Sequence, residues 1–116
     1  MIFIATLAFA VSTAADAFSD VEAKLTVNMR FTSARALILK NGWKPLQMHV
    51  GENYEYDGVE KEYVRSKFLE VDSCSNDSAR CILYYKKGDE CLRLDTIGEH
   101  LKNTKVVRWA RECPSH

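Results

Sequence analysis

The chain of 116 residues is short of punctuation and of net charge. It has two prolines, Pro45 and Pro114, five scattered glycines, and sixteen Lys and Arg balanced by sixteen Asp and Glu. The balance argues against a bulk nucleic-acid binder, which needs an excess of bases to displace phosphate counterions. The chain contains no glycine-rich phosphate loop and no Gly-x-Ser-x-Gly elbow. It also lacks the paired Cys-x2-4-Cys knuckles of structural zinc and the Cys-x-x-Cys spacing of a thioredoxin-type redox pair. No catalytic residue, metal ligand or cofactor site is therefore nominated. Repeats, low-complexity tracts and composition shifts that would mark a domain boundary are absent too. A hydrophobic content of 47% is too high for a disordered tail, and the length is too small for two ordinary domains.

The first residues have a different character. Met1 to Val11 reads M-I-F-I-A-T-L-A-F-A-V, apolar and uncharged, and small residues follow as far as Ala15-Asp16-Ala17. This fits the apolar core and small-x-small cleavage pattern of a secretory leader, although no Lys or Arg precedes the run. The run falls short of the ~20 residues that span a bilayer. The reading is a signal peptide over residues 1–17, with Ser12-Thr13-Ala14 as an alternative site, followed by a single domain over 18–116. Removing 1–17 takes Asp16 and no base, leaving a net charge of +1. The expected location is periplasmic or secreted, and the expected product is soluble, without a membrane span.

All four cysteines, Cys74, Cys81, Cys91 and Cys113, lie beyond the leader. An even count in a small exported chain points to disulfides, which stiffen a core too small to be robust by itself. The short polar stretch Ser75-Asn76-Asp77-Ser78-Ala79-Arg80 favours a local Cys74–Cys81 bridge, leaving Cys91 for Cys113. Four cysteines allow three pairings, and the sequence leaves the choice open.

Along the chain, Thr32–Asn41 predicts a helix, capped by Thr32 or Ser33 and stopped by Gly42. Pro45 blocks its resumption, and Trp43–Val50 reads as a strand near a sheet edge. Gly51–Asp57 reads as loop, Val59–Lys67 as a short helix, and Phe68–Asp72 as a strand. Cys81–Tyr85 and Cys91–Thr96 form a hairpin about Gly88-Asp89, which would pair Leu83 with Leu94, Tyr84 with Arg93 and Tyr85 with Leu92. Val106–Trp109 is a last strand, and Trp43 and Trp109 are core candidates. The order predicts an α+β fold: an antiparallel sheet of four to five strands with one main helix packed on one face.

Several short patterns occur in order: Ala34-Arg35 with Leu39, the Gly42-Trp43-Lys44-Pro45 step, Cys74-x6-Cys81, Leu92-x-Leu94-x-Thr96-x-Gly98-Glu99, and Val106-x-x-Trp109. Together they resemble a group of small exported proteobacterial proteins, mostly without assigned function, and the likeness runs over residues 25–113. The resemblance implies a periplasmic α+β domain with a short Cys74–Cys81 loop, and it implies no reaction. A more distant likeness, at the level of fold, is to the helix-then-sheet units of periplasmic β-lactamase inhibitors and outer-membrane assembly lipoproteins, through Met29-Arg30-Phe31-Thr32.

Charge is segregated within the neutral total. From Glu52 to Glu62 run five acids and a single base, interleaved with Tyr54 and Tyr56, whereas His100 to Arg111 holds four bases and no acid. Tyrosine offers contact area at low entropic cost, and carboxylates steer basic partners. Tyr54, Glu55, Tyr56 and Asp57 are therefore the candidate protein-binding residues, although the two segments could instead pair with each other. The expected function is a small binding module for another protein, as an inhibitor or immunity-type antagonist. The alternative is a cell-wall or peptide hydrolase using Glu99 and His100. His49 and His116 read as surface histidines, and Asn76-Asp77-Ser78 as a sequon that matters only in a eukaryotic host.

Overall fold

A computed structural model describes residues 16–115. Most of the leader assignment, residues 1–15, and His116 lie outside that range.

The predicted central helix is α2, Phe31–Lys40, with Phe31, Ala34 and Ile38 buried at the spacing of a single helical face. Its N-cap is Arg30 and no side chain caps it, in place of the expected Thr32 or Ser33. The Phe31 N–H donates to the Thr104 carbonyl at 2.8 Å, so a tertiary contact takes up a backbone donor left open at the helix start. The stop is the predicted one. Gly42 has φ +89°, its N–H reaches the Leu39 carbonyl, and the Trp43 N–H reaches the Ile38 carbonyl. These paired bonds form a Schellman ending, which needs a left-handed residue at Gly42. They turn Trp43 into the core at 2% exposure.

The strand expected over Trp43–Val50 shrinks to β1, Lys44–Pro45. Pro45 brings no N–H to the ladder. The Leu46 N–H still donates to the Tyr84 carbonyl, but Met48 turns to Leu69, and His49 and Gly51 take φ +62° and +74°. Helix α3 spans Glu60–Arg65 within the expected range. It ends in a second Schellman arrangement, with Lys67 at φ +63° and the Phe68 N–H on the Tyr63 carbonyl. That turn displaces the next strand, which is β2, Val71–Cys74, and not Phe68–Asp72.

The hairpin forms as predicted. Strands β3 (Arg80–Lys87) and β4 (Glu90–Ile97) pair Leu83 with Leu94, Tyr84 with Arg93 and Tyr85 with Leu92. Strand β5, Lys105–Ala110, pairs with β4 through a register shift that sets Trp109 opposite Leu94 and leaves it half-buried. The sheet is wholly antiparallel: β1 and β2 both pair with β3, followed by β4 and β5. Leu83, Tyr85, Leu92, Leu94 and Val106 meet Ala34 and Ile38 of α2 and Tyr63 of α3 in one core. The fold is α+β.

A helix absent from the sequence reading precedes these elements. Helix α1, Ala17–Glu22, buries Phe18 and Val21 in the same core. The Asp16 carboxylate accepts the Ser19 N–H at its start, and Glu90 accepts the Ala17 N–H at 3.0 Å. The cysteines are bridged Cys74–Cys81, across β2 and β3, and Cys91–Cys113, which ties the C-terminal segment to β4. Below the sheet, the wholly buried Glu70 meets Arg35 with Nε 2.6 Å from its carboxylate, and the guanidinium lies 4.0 Å from the Phe68 ring centre.

Candidate functional site

The tyrosine-bearing loop leaves β1 at Leu46 and enters α3 at Glu60, and side chains on both of its flanks hold it. On the first flank, the His49 ring stacks on Tyr54 at 3.6 Å between centroids and 13° between planes. Tyr56 stands edge-on to both, at 5.9 Å from His49 and 5.2 Å from Tyr54. His49 Nδ1 lies 2.7 Å from a Glu52 carboxylate oxygen, and Nε2 lies 2.5 Å from the Asp72 carbonyl of β2. Burial works against the charged ring, but the bond to the Asp72 carbonyl and the Glu52 carboxylate outweigh it, and the His49 pKa is raised above 6.5.

On the second flank, Glu60 is only 4% exposed. It accepts from the Tyr54 hydroxyl at 3.2 Å, from the Asp57 N–H at 3.1 Å and from the Cys74 N–H at 2.8 Å. These donors satisfy the oxygens of a carboxylate buried this deeply. It ties the loop, the start of α3 and the disulfide end of β2 together. Burial and, next, the Glu60 charge push the Tyr54 hydroxyl up to about 12, so Tyr54 keeps the proton that it donates.

Of the four residues picked from the sequence, Tyr54 and Tyr56 are half-buried in the stack, and Glu55 and Asp57 are exposed beside them. Glu52 is exposed as well, whereas Glu60, counted in the same acidic run, faces inward. What the loop presents is two or three carboxylates on an aromatic footing fixed at both ends. It presents no nucleophile. His49 and Glu60, its anchors, escaped the sequence reading, because nothing in their spacing marks a histidine paired with a residue 23 positions away.

Glu99 and His100 part company. His100 lines a cavity of about 620 Å³ with Thr32, Glu62, Arg65, Ser66 and Lys102. Its Nδ1 is 3.3 Å from Glu62, and Glu62 also accepts the Leu101 N–H. Glu99 instead lines a separate cavity of about 260 Å³ with Gly58, Asn76 and Asp77. No hydroxyl among the described residues hydrogen-bonds the His100 ring, which is 65% exposed at its side chain. No group of three or more metal-capable side chains forms among the described residues.

The basic C-terminal run is largely engaged inside the molecule. Arg108 joins Arg93 on the Asp95 carboxylate, Arg93 also reaches Glu112, and Arg111 reaches Asp16. Part of the acidic run answers it through Glu62 and His100. The outward acids of the loop, Glu55 and Asp57, pair with no base among the described residues. No family model, curated protein or solved structure matches the chain, and its own geometry is what bears on its function.

Proposed function

We propose that the protein is an exported, disulfide-stapled binding module, of the inhibitor or immunity-antagonist kind, that docks onto a cationic patch of another protein through Tyr54, Glu55, Tyr56 and Asp57. The observation that carries this reading is the doubly anchored loop, with Glu55 and Asp57 exposed and facing no base among the described residues, next to a His49–Tyr54–Tyr56 stack. A loop already held in one shape loses little entropy on binding, and its carboxylates would speed encounter with a basic surface. The two bridged cysteine pairs fit an oxidising compartment, the periplasm or the exterior. No helix among the described residues is long and apolar enough to cross a membrane.

The test is a photo-crosslinking residue at Glu55 in the oxidised protein, with a control at Lys102 on the His100 cavity, in extracts of the exported fraction. The reading expects a partner crosslinked from position 55 only, lost when Glu55 and Asp57 are both changed to Lys. The same products from both positions, or none from 55, would refute it.

A second reading is favoured by a single contact. A hydrolase would centre on His100 and Glu62, which share the larger cavity, with Glu99 outside it. It predicts that His100→Ala and Glu62→Gln both abolish an activity on peptide or cell-wall material that Glu99→Gln leaves intact.

A further inference from the structure

The two ring nitrogens of His49 both face acceptors. A backbone carbonyl cannot donate, so Nε2 must carry a proton to bond the Asp72 oxygen. A carboxylate cannot donate either, so Nδ1 must carry one to bond Glu52 at 2.7 Å. Only the imidazolium satisfies both. Each neutral tautomer turns a lone pair on one of the two oxygens, which repels where it had bonded.

Among the described residues, the charged groups in contact with the ring, Glu52 and Asp72, share one sign. Glu52 comes from the loop, the Asp72 carboxylate lies 3.9 Å away on β2, Tyr54 stacks on the ring and Tyr56 stands edge-on to it. From the C-terminal segment, Pro114 lines the same cavity as His49 and brings no charge. The His49 side chain is only 8% exposed, which limits screening on its side of the pair, while the Glu52 carboxylate is 55% exposed and keeps its solvent. The ring thus bridges β2, which is paired and disulfide-bonded to β3, and the loop segment that bears the outward acids.

We infer that the protonated His49 ring is a clasp that holds the Glu52–Asp57 loop in its docking shape, so that the loop grips a cationic protein partner in acid and loosens in alkali. This inference rests on the docking reading above. The sign follows from linkage. The closed loop raises the affinity of His49 for its proton, so closure has its full advantage below the free-histidine value of 6.5 and loses it as pH rises through the higher closed-loop value. Charge alone predicts the opposite, because deprotonation makes the region more negative and should tighten its hold on a cation.

The test follows the His49 ring and the Glu52–Asp57 amides by NMR in the oxidised protein from about pH 5 to about pH 9, with oligolysine as the cationic probe at each pH. The expected result is a ring midpoint above 6.5, loop amides moving with that same midpoint, and probe affinity falling with pH by at most about tenfold for each pH unit that separates the closed-loop and free values. In Glu52→Gln, which keeps the shape of the side chain, the ring and loop midpoints should fall together. In His49→Phe, which keeps the stack and removes both donors, the loop amides should be insensitive to pH. Loop amides that ignore the ring, or affinity that rises with pH, would overturn the clasp. Amides that follow the ring while oligolysine binds at no pH would uphold the clasp and overturn the docking reading.

Discussion

Arg35 shows what a single residue does in this fold. It sits on α2, its guanidinium covers Phe68, and its Nε reaches a carboxylate with no exposure of its own. Replacing Arg35 with Met would leave Glu70 charged and alone in the core, at a cost of about 3–5 kcal/mol. Denaturant unfolding of Arg35→Met checks this, and adding Glu70→Leu should recover most of the loss. Sequence shows Arg35 as part of a helix but gives no sign of Glu70, 35 residues on, because only the tertiary fold brings the residue before β2 to α2. Glu60 was obscure for a related reason. A run of acids reports composition, not direction, and the inward member looks like its neighbours. Glu55 and Asp57 were legible only as members of that run, and the structure is what sets them outward.

At the scale of elements, what sequence revealed depends on how local each cause is. The β3–β4 register follows from alternation and a glycine at φ +58°, both contained in one short stretch, and it was legible pair by pair. The stop of α2 at Gly42 was legible for the same reason. The start of α2 was not, because the Thr104 carbonyl replaces the cap. Strands β1 and β2 moved because left-handed residues at His49 and Lys67 bend the chain, and neither is a glycine that would have announced it. Helix α1 was hidden by the leader reading. Its Asp16 cap and the Asp16–Arg111 pair would be lost by cleavage after Ala17. Cleavage at the alternative Ala14 site would keep both. The intact mass of the exported protein is therefore predicted to include Asp16, and Asp16→Ala to lower the melting temperature more than Asp16→Asn, which retains the cap. A mature chain beginning at Phe18 would contradict this.

At the scale of the molecule, the two disulfides should not be equal. The Cys91–Cys113 bridge closes a loop of 22 residues and the Cys74–Cys81 bridge one of 7. Restriction of the unfolded chain grows with loop length, so removing Cys91 and Cys113 together should lower stability by about 2–4 kcal/mol, and by more than removing the other pair. Chemical denaturation of the two double serine variants checks the order. Overall neutrality also takes on a physical meaning. In the C-terminal run Arg108 is paired with Asp95 and Arg111 with Asp16, and Glu62 faces His100. Glu55 and Asp57 of the clasped loop are among the exposed acids that face no base among the described residues. The most direct measurement is the affinity of the oxidised protein for oligolysine at low salt, compared between the wild type, Glu55→Gln/Asp57→Asn and Glu62→Gln/Glu99→Gln. A docking loop predicts about a fivefold loss for the first pair and none for the second. Equal affinity in the first pair, or a larger loss in the second, would contradict it.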